Sequence, residues 1–447
     1  MTFNFTTNIK KRKRCLISIP HKLCKKNNIN LGDVVTVNIA NLEFFGFITG
    51  TNSSKRIHLP FRIQSQIISR EVIVNLKPIE KRKGVTTITD NKIDLYNSLP
   101  NKNIHYDWPL AAVKKNKEII AWSPQAFEQT VPRYLELSEE LFEVFGLIQG
   151  EGYKKTPVGG TRPGFVNSAE EIVNYVLEFF SKKMNVPKTK WSWFINYSSN
   201  EEKSLSIDNR LVEHWLTKTG VLRDNLKRIN YLKCKDVRSS KNGVFHMFIP
   251  SCVLGEIYLT ILIIAEKLSV KNRGYAIPFL RGLLAADGSA TLHQYKHFKT
   301  LAQVELAIET EHEKELYKKI IKRIGLTMSD YSDHNRKFSI TGWDNFLVLA
   351  KKNIFKLHYI KKRNFEEGFR NHKQTRMIIK YLSPLIKKDL TLNELFSRLK
   401  LKSRGALHQV LKVQSKRGLI NRRKNKGKYH YYLTKKGKEI LKFLIDY

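Results

Sequence analysis

The sequence predicts an α+β protein of several domains: a small N-terminal β domain, a central body of two similar halves, and a C-terminal helical module. Three observations predict this. Its 447 residues exceed the ~250–300 at which single cores stop growing. Apolar and polar residues alternate in short runs through residues 1–83, which is the period of strands. Two related segments, Phe145–Gly152 (FGLIQGEG) and Arg281–Ser289 (RGLLAADGS), each open a similar series of helices and strands.

In the N-terminal domain the runs are Leu16–Ile19, Val34–Ile39, Phe44–Ile48 and Val72–Leu76, with a turn signal at Leu31-Gly32-Asp33. Within Cys15–Ile39, the Ile19-Pro20 pair, a short helix and Gly32-Asp33-Val34 together resemble the AbrB-type swapped-hairpin DNA-binding module. A generic β-barrel packing domain fits the same residues. Residues 84–131 read as a connector. Its aromatics (Tyr106, Trp108, Trp122, Phe127) predict docking on a neighbour, because a free linker lacks them.

The central body spans residues 132–373, in halves of about 132–273 and 274–373. Small residues four apart, Gly146 with Gly150 and Gly282 with Ala286, share one helix face and let two backbones approach closely. Ser138 followed by Glu139 and Glu140 starts the first helix, and Pro278 suits the first turn of the second. Both helices end in an acid and a glycine, Glu151-Gly152 and Asp287-Gly288, with the acids 136 positions apart. A helix C-terminus is partially negative, so a carboxylate there is disfavoured. Two such ends brought together hold acids and orphan carbonyls that a divalent cation with oxygen ligands, Mg²⁺, relieves. Either segment alone reads more readily as a packing helix with a solvated acid; the pair together points to the metal.

After the first motif the sequence predicts a strand at Tyr153–Lys155, a turn at Gly159-Gly160, and a helix from Asn167 to Met184. A strand at Trp191–Tyr197, a helix at Asn209–Thr219, a strand at Val244–Ile249 and a helix at Val253–Leu268 follow. After the second come a strand at Ala302–Ile308, a helix at Glu311–Ile324, a strand at Lys337–Thr341 and a helix at Trp343–Asn353.

The two motifs resemble the paired LAGLIDADG motifs of single-chain homing endonucleases, the second more closely. The resemblance covers residues 132–373 and implies a pseudo-twofold pair of αββαββα halves forming a saddle over double-stranded DNA. It implies Glu151 and Asp287 as Mg²⁺ ligands and catalytic acids, each serving one strand of a staggered cut. Gln149 replaces an internal acid of the motif, and Glu151 keeps the terminal carboxylate in longer form. A basic side chain beside each metal is also implied. Lys361 in HYIKKR is the best positional match, with Lys362 its competitor, and plain attraction to the DNA backbone suits either equally.

Residues 374–447 predict helices at Arg376–Ile386, Leu392–Leu399 and Arg404–Lys416, then a basic hairpin and the strand Tyr429–Leu433. A helix ending in KRGLI, followed by that hairpin and LTKKG, resembles a winged helix-turn-helix. The resemblance puts Lys412, Lys416 and Arg417 on or near a recognition helix, and Arg422, Arg423, Lys424, Lys426 and Lys428 in a backbone-binding wing.

Charge agrees with a polyanionic partner: 80 Lys and Arg stand against 40 Asp and Glu. Residues 1–83 carry 16 basic and 4 acidic residues, and residues 374–447 carry 20 and 4, so both ends are the strongest attractors. The KKRKR run at residues 10–14 reads as a DNA-facing arm or a nuclear signal. Cys15, Cys24, Cys234 and Cys252 form no CxxC pair, which argues against zinc or a disulfide framework and for a reducing compartment. No secretory leader and no membrane-spanning run is expected. A monomer in the cytoplasm, nucleoid-associated, or in an organelle follows. Lacking His-Asn at its end, Ile445-Asp446-Tyr447, the sequence does not read as an intein. Three functions fit: a DNA endonuclease, a non-cleaving DNA-binding regulator on the same scaffold, and a maturase acting on structured intron RNA.

Overall fold

The computed structural model describes residues 2–10, 15–39, 41–59, 66–67, 71–79, 82, 84–102, 110–123, 126–153, 162–199, 204–233, 241–329, 336–401 and 403–447. Most of the KKRKR run, Tyr106, Trp108, Lys154, Lys155, Gly159, Gly160, Cys234 and the Phe127 side chain lie outside the described residues. Packing divides the chain into two units, Met1–Lys267 and Leu268–Tyr447.

The first unit begins with six antiparallel strands: β1 (Phe3–Lys10), β2 (Leu16–Ser18), β3 (Val34–Ile39), β4 (Leu42–Gly50), β5 (Lys55–His58) and β6 (Glu71–Pro78), with helix α1 (His21–Lys26) between β2 and β3. They close a barrel in the order β1-β2-β5-β4-β3-β6 around Ile17, Val35, Val37, Ile57, Val74 and Leu76. That order maps onto itself when β1, β2 and β3 exchange with β4, β5 and β6. The sequence repeats accordingly: Ile17-Ser18-Ile19-Pro20 is echoed by Ile57-His58-Leu59-Pro60, and Val37-Asn38-Ile39 by Val74-Asn75-Leu76. Equivalent residues pair with each other, Ile17 with Ile57 and Asn38 with Asn75, as a twofold axis requires. The barrel is thus an internal duplication that closes within one chain and takes no hairpin from a second copy.

The expected connector is folded. Strands β7 (Ile88–Thr89) and β8 (Lys92–Asp94), helix α2 (Leu95–Ser98), and strands β9 (Ala111–Lys115), β10 (Glu118–Ser123), β11 (Ala126–Pro132) and β12 (Tyr134–Glu136) make two three-stranded sheets. Strand β12 pairs back onto β8 and Arg133 bonds the buried Asp94 at 2.9 Å, so residues 133–136 pack with the connector. Trp122 does dock, stacking on Phe45 of the barrel with centroids 4.5 Å apart. Trp122→Ala should cost about 3–5 kcal/mol in chemical denaturation, as large aromatic truncations in cores do.

The first half of the central body comprises α3 (Glu139–Glu151), β13 (Gly164–Asn167), α4 (Glu170–Met184), β14 (Ser192–Ser199), α5 (Leu205–Thr219), β15 (Leu226–Lys233), β16 (Val244–Phe248) and α6 (Cys252–Lys271). Its sheet runs β13-β16-β14-β15, with Gly152 bridging Phe165 outside β13. The sequence did not predict β15, which returns parallel to β14 after α5.

The second unit holds α7 (Arg273–Ala286), β17 (Gly288–Gln294), β18 (Lys299–Ala307), α8 (Glu311–Ile324), β19 (Lys337–Ile340), α9 (Trp343–Lys351) and α10 (Tyr359–Asn371). Its sheet runs β17-β18-β19, and beyond β19 the Ser329 amide donates to the Ser339 carbonyl at 2.8 Å. With β15 left out of the numbering, both sheets run first, second, fourth, third from their motif; β15 is an extra strand of the first half. Helix α7 starts earlier than expected: Asn272 caps it by accepting from the Gly274 amide at 2.8 Å, which leaves Pro278 inside the helix.

The C-terminal module follows without a linker, since His372 both ends α10 and caps α11 (Lys373–Leu382). Next come β20 (Leu390–Thr391), α12 (Leu392–Leu399), α13 (Arg404–Lys416), β21 (Ile420–Asn425), β22 (Lys428–Leu433) and α14 (Lys435–Asp446). The hairpin turns on Lys426 and Gly427 with φ of 46° and 76°, a type I′ turn for which glycine is favoured at the second position. The Trp343 indole donates to Thr375 Oγ1 at 2.9 Å and the Arg370 guanidinium to the Tyr447 carbonyl at 2.6 Å, so this module packs into the second unit. Among the described residues no helix is long and apolar enough to cross a membrane.

Candidate metal and nucleic-acid site

Helix α3 starts as its sequence predicts, with Ser138 Oγ accepting from the Leu141 amide at 3.3 Å. Its internal Gln149 is 1% exposed, a position where a neutral side chain costs less to bury than a carboxylate. Glu151 is its last residue and is half-buried. Asp287, also half-buried, follows the last turn of α7 at φ −93°, ψ 0°.

The glycine after each acid supplies clearance, not a left-handed turn. Gly152 has φ −86° and ψ 155°. A Cβ there would meet the Ile148 carbonyl oxygen and lie 2.5 Å from Tyr258 Oη. At Gly288 it would lie 2.6 Å from both the Cα and the carbonyl oxygen of Leu284. In both halves the chain leaves the helix directly across the residue four positions back, and that path holds each acid beside the helix end.

Lys361 lies in the first turn of α10, where the sequence suggested a segment following a helix. Its ammonium donates to the carbonyls of Leu284 at 3.3 Å, Ala285 at 2.7 Å and Ala286 at 2.6 Å. One ammonium thus meets the last three carbonyls of the helix, the favourable arrangement at a helix C-terminus. Lys362 instead pairs with Glu366 at 3.8 Å. Between the two candidates, Lys361 is the one at the helix end that carries Asp287. With Lys361 in place, the last carbonyls of α7 need no divalent cation. Among the described residues no cluster of three His, Cys, Asp or Glu forms that holds a metal by itself. A single carboxylate at each helix end still fits Mg²⁺, which binds through one or two carboxylates plus substrate phosphates and keeps several waters.

Each sheet buries one face and leaves the other open. On β17–β18–β19 the open face centres on Glu305. Its carboxylate accepts from Ser289 Oγ at 3.2 Å, Thr291 Oγ1 at 3.0 Å and Gln303 Nε2 at 2.8 Å, and pairs with Lys337. Burial alone would raise this carboxyl; Lys337 and Thr291 hold it below the usual range. On β13–β16–β14–β15 the centre is His246, whose ring nitrogens bond Tyr153 Oη at 3.1 Å and Asn196 Nδ2 at 2.8 Å. Asn230 Nδ2 donates onward to Asn196 Oδ1 at 2.7 Å. Burial, aided by Arg228, pushes the imidazole down to about 4, so it is neutral at pH 7. No motif flagged either group, because cross-strand pairing assembles them.

In the C-terminal module Lys412 and Lys416 are exposed on α13, and Lys424, Lys426 and Lys428 are exposed on the hairpin. Arg422 lies over the Tyr429 ring at 4.5 Å, and Arg423 pairs with Asp389 at 2.7 Å. Arg417 is the C-cap of α13. Its guanidinium bonds Gln374 at 2.8 Å, approaches Asp344 at 3.7 Å and covers the Trp343 ring at 5.2 Å, because it caps α13 on the side facing α9 and α11. It is a clamp between helices.

No protein-family model matches the chain, and no curated protein matches it.

Proposed function

We propose that this protein is a monomeric, site-specific endonuclease that cuts double-stranded DNA with a stagger, using Glu151 and Asp287 with Mg²⁺. The observation that carries the reading is the matched pair of helix ends, each an acid followed by a glycine pressed on the turn behind it. Mg²⁺, when bound, supplies charge neutralisation at the scissile phosphate and a water of lowered pKa. Glu151 and Asp287 would each supply an oxygen ligand at its own helix end, while Lys361 keeps the α7 end fixed and adds positive charge beside Asp287. The polar face around Glu305 offers acceptors and donors to base edges in the major groove, and the winged module holds the backbone.

The test is Mg²⁺-dependent linearisation of a plasmid library carrying randomised sites. Linear product at a recurring sequence supports the proposal; tight sequence-specific binding with no nicking assigns the scaffold to a regulator, and preference for intron RNA to a maturase. Replacing Lys424, Lys426 and Lys428 by Ala should lower duplex affinity and flatten the slope of log K against log salt by about 0.9 for each phosphate no longer neutralised. Arg417→Ala should leave that slope unchanged and lower unfolding free energy by about 1–3 kcal/mol, read by urea titration.

A further inference from the structure

The open face of the β13–β16–β14–β15 sheet carries a ladder of flat groups. Phe194 on β14 and His246 on β16 stack with centroids 4.3 Å apart and planes 14° apart. The Arg228 guanidinium lies over the Phe194 ring at 5.1 Å. Since His246 fills one side of that ring and β15 lies on the other, Arg228 takes the opposite face. A bulge puts it there: Trp193 pairs with Leu226 and Ile195 with Ile229, so Phe194 alone faces both Lys227 and Arg228. Arg228 is exposed, which makes its plane the open end of the ladder. Beside it the Asn230 amide donates to Asn196, which in turn bonds His246, and among the described residues the Asn230 Oδ1 accepts no hydrogen bond. The four strands contain no Asp or Glu, while β15 carries Lys227, Arg228 and Lys233.

We infer that this face binds unpaired nucleotides, one base extending the ladder on the Arg228 plane with the Asn230 amide at its edge and Lys227 at a phosphate. A base inside a duplex has both faces covered by its neighbours, so only an unstacked base can join. Single-stranded DNA and RNA loops both supply one, and arginine planes backed by aromatics suit either. The inference is independent of cleavage.

The test uses the full chain with oligothymidylate and oligouridylate of about fifteen nucleotides, within one single-strand site size, each carrying one 2-aminopurine. A duplex of equal length is the comparison, and raised salt suppresses plain backbone attraction. Both single strands, or one of them, should bind with a change in 2-aminopurine fluorescence, and the stronger binder identifies the natural source. Arg228→Lys keeps the charge but loses the plane, and should weaken single-strand binding by about tenfold or more with duplex affinity unchanged, in line with stacking on one base. Phe194→Leu, which keeps apolar packing, should do the same. Wild-type single-strand affinity in Arg228→Lys overturns the inference, as does an equal loss on duplex or a silent fluorophore. Asp287→Asn should bind single strands as wild type does, so failure of the cleavage proposal and failure of this one are separate results.

Discussion

Asp287→Asn should lower Mg²⁺-dependent formation of linear plasmid by about a thousandfold or more, while duplex affinity in Ca²⁺ stays within about twofold. Metal stabilisation of transition-state charge amounts to several kcal/mol, and each ~1.4 kcal/mol is tenfold in rate. The amide keeps the shape of the carboxylate and removes the charge that holds a hard cation. Lys361 continues to cap α7 through backbone carbonyls in this variant, so the helix end stays in place and the loss reports charge alone. Nicked circles persisting in Asp287→Asn, and again in Glu151→Gln, show each acid serving its own strand. Unaltered linear product in Asp287→Asn removes the nuclease reading.

Gly288→Ala and Gly152→Ala should each destabilise the protein by about 3 kcal/mol or more, at the upper end for overpacking. Most overpacked sites recover by rotating a side chain. Here the added methyl lies 2.6 Å from the Cα and carbonyl oxygen of Leu284, and in the first half it meets the Ile148 carbonyl, so backbone must move. Relief comes only by displacing the chain that leaves the helix, and with it the acid one residue earlier. Cleavage should therefore fall more than stability predicts, measured at a temperature where each variant remains folded by circular dichroism. A Gly288→Ala variant with wild-type melting temperature and rate contradicts the clearance argument.

Elements carrying their own local signals were legible in the sequence. Helix α8 is bounded by a Thr310–Glu313 capping box and by Gly325, and α12 by a Thr391–Glu394 box, so both were placed correctly. Strands β15 and β17 were not. LKRINYLK is a basic edge strand and GSATLHQ is polar on its open side, so neither shows clean alternation. At the site, the two acids were visible because acid–glycine helix ends are locally anomalous. The choice of Lys361 over Lys362 was not, because it depends on which lysine an α10 packed on β17 and β18 turns toward a helix end some 75 residues earlier. The barrel duplication escaped because the copies share mainly a few apolar positions, an asparagine and an Ile/Leu-Pro step.

That duplication changes what the barrel can become. Two separate chains forming such a ring would assemble at a rate set by their concentration and would present the same surface twice. Joined head to tail, the copies meet at the high effective concentration of a tether, and each is free to mutate without altering the other. Residues 21–30, which include α1, carry Lys22, Lys25 and Lys26, and the corresponding stretch of the repeat in sequence, residues 61–70 (FRIQSQIISR), carries two arginines. The two copies have already diverged in sequence there, lysines in one and arginines in the other, while both stretches stay cationic.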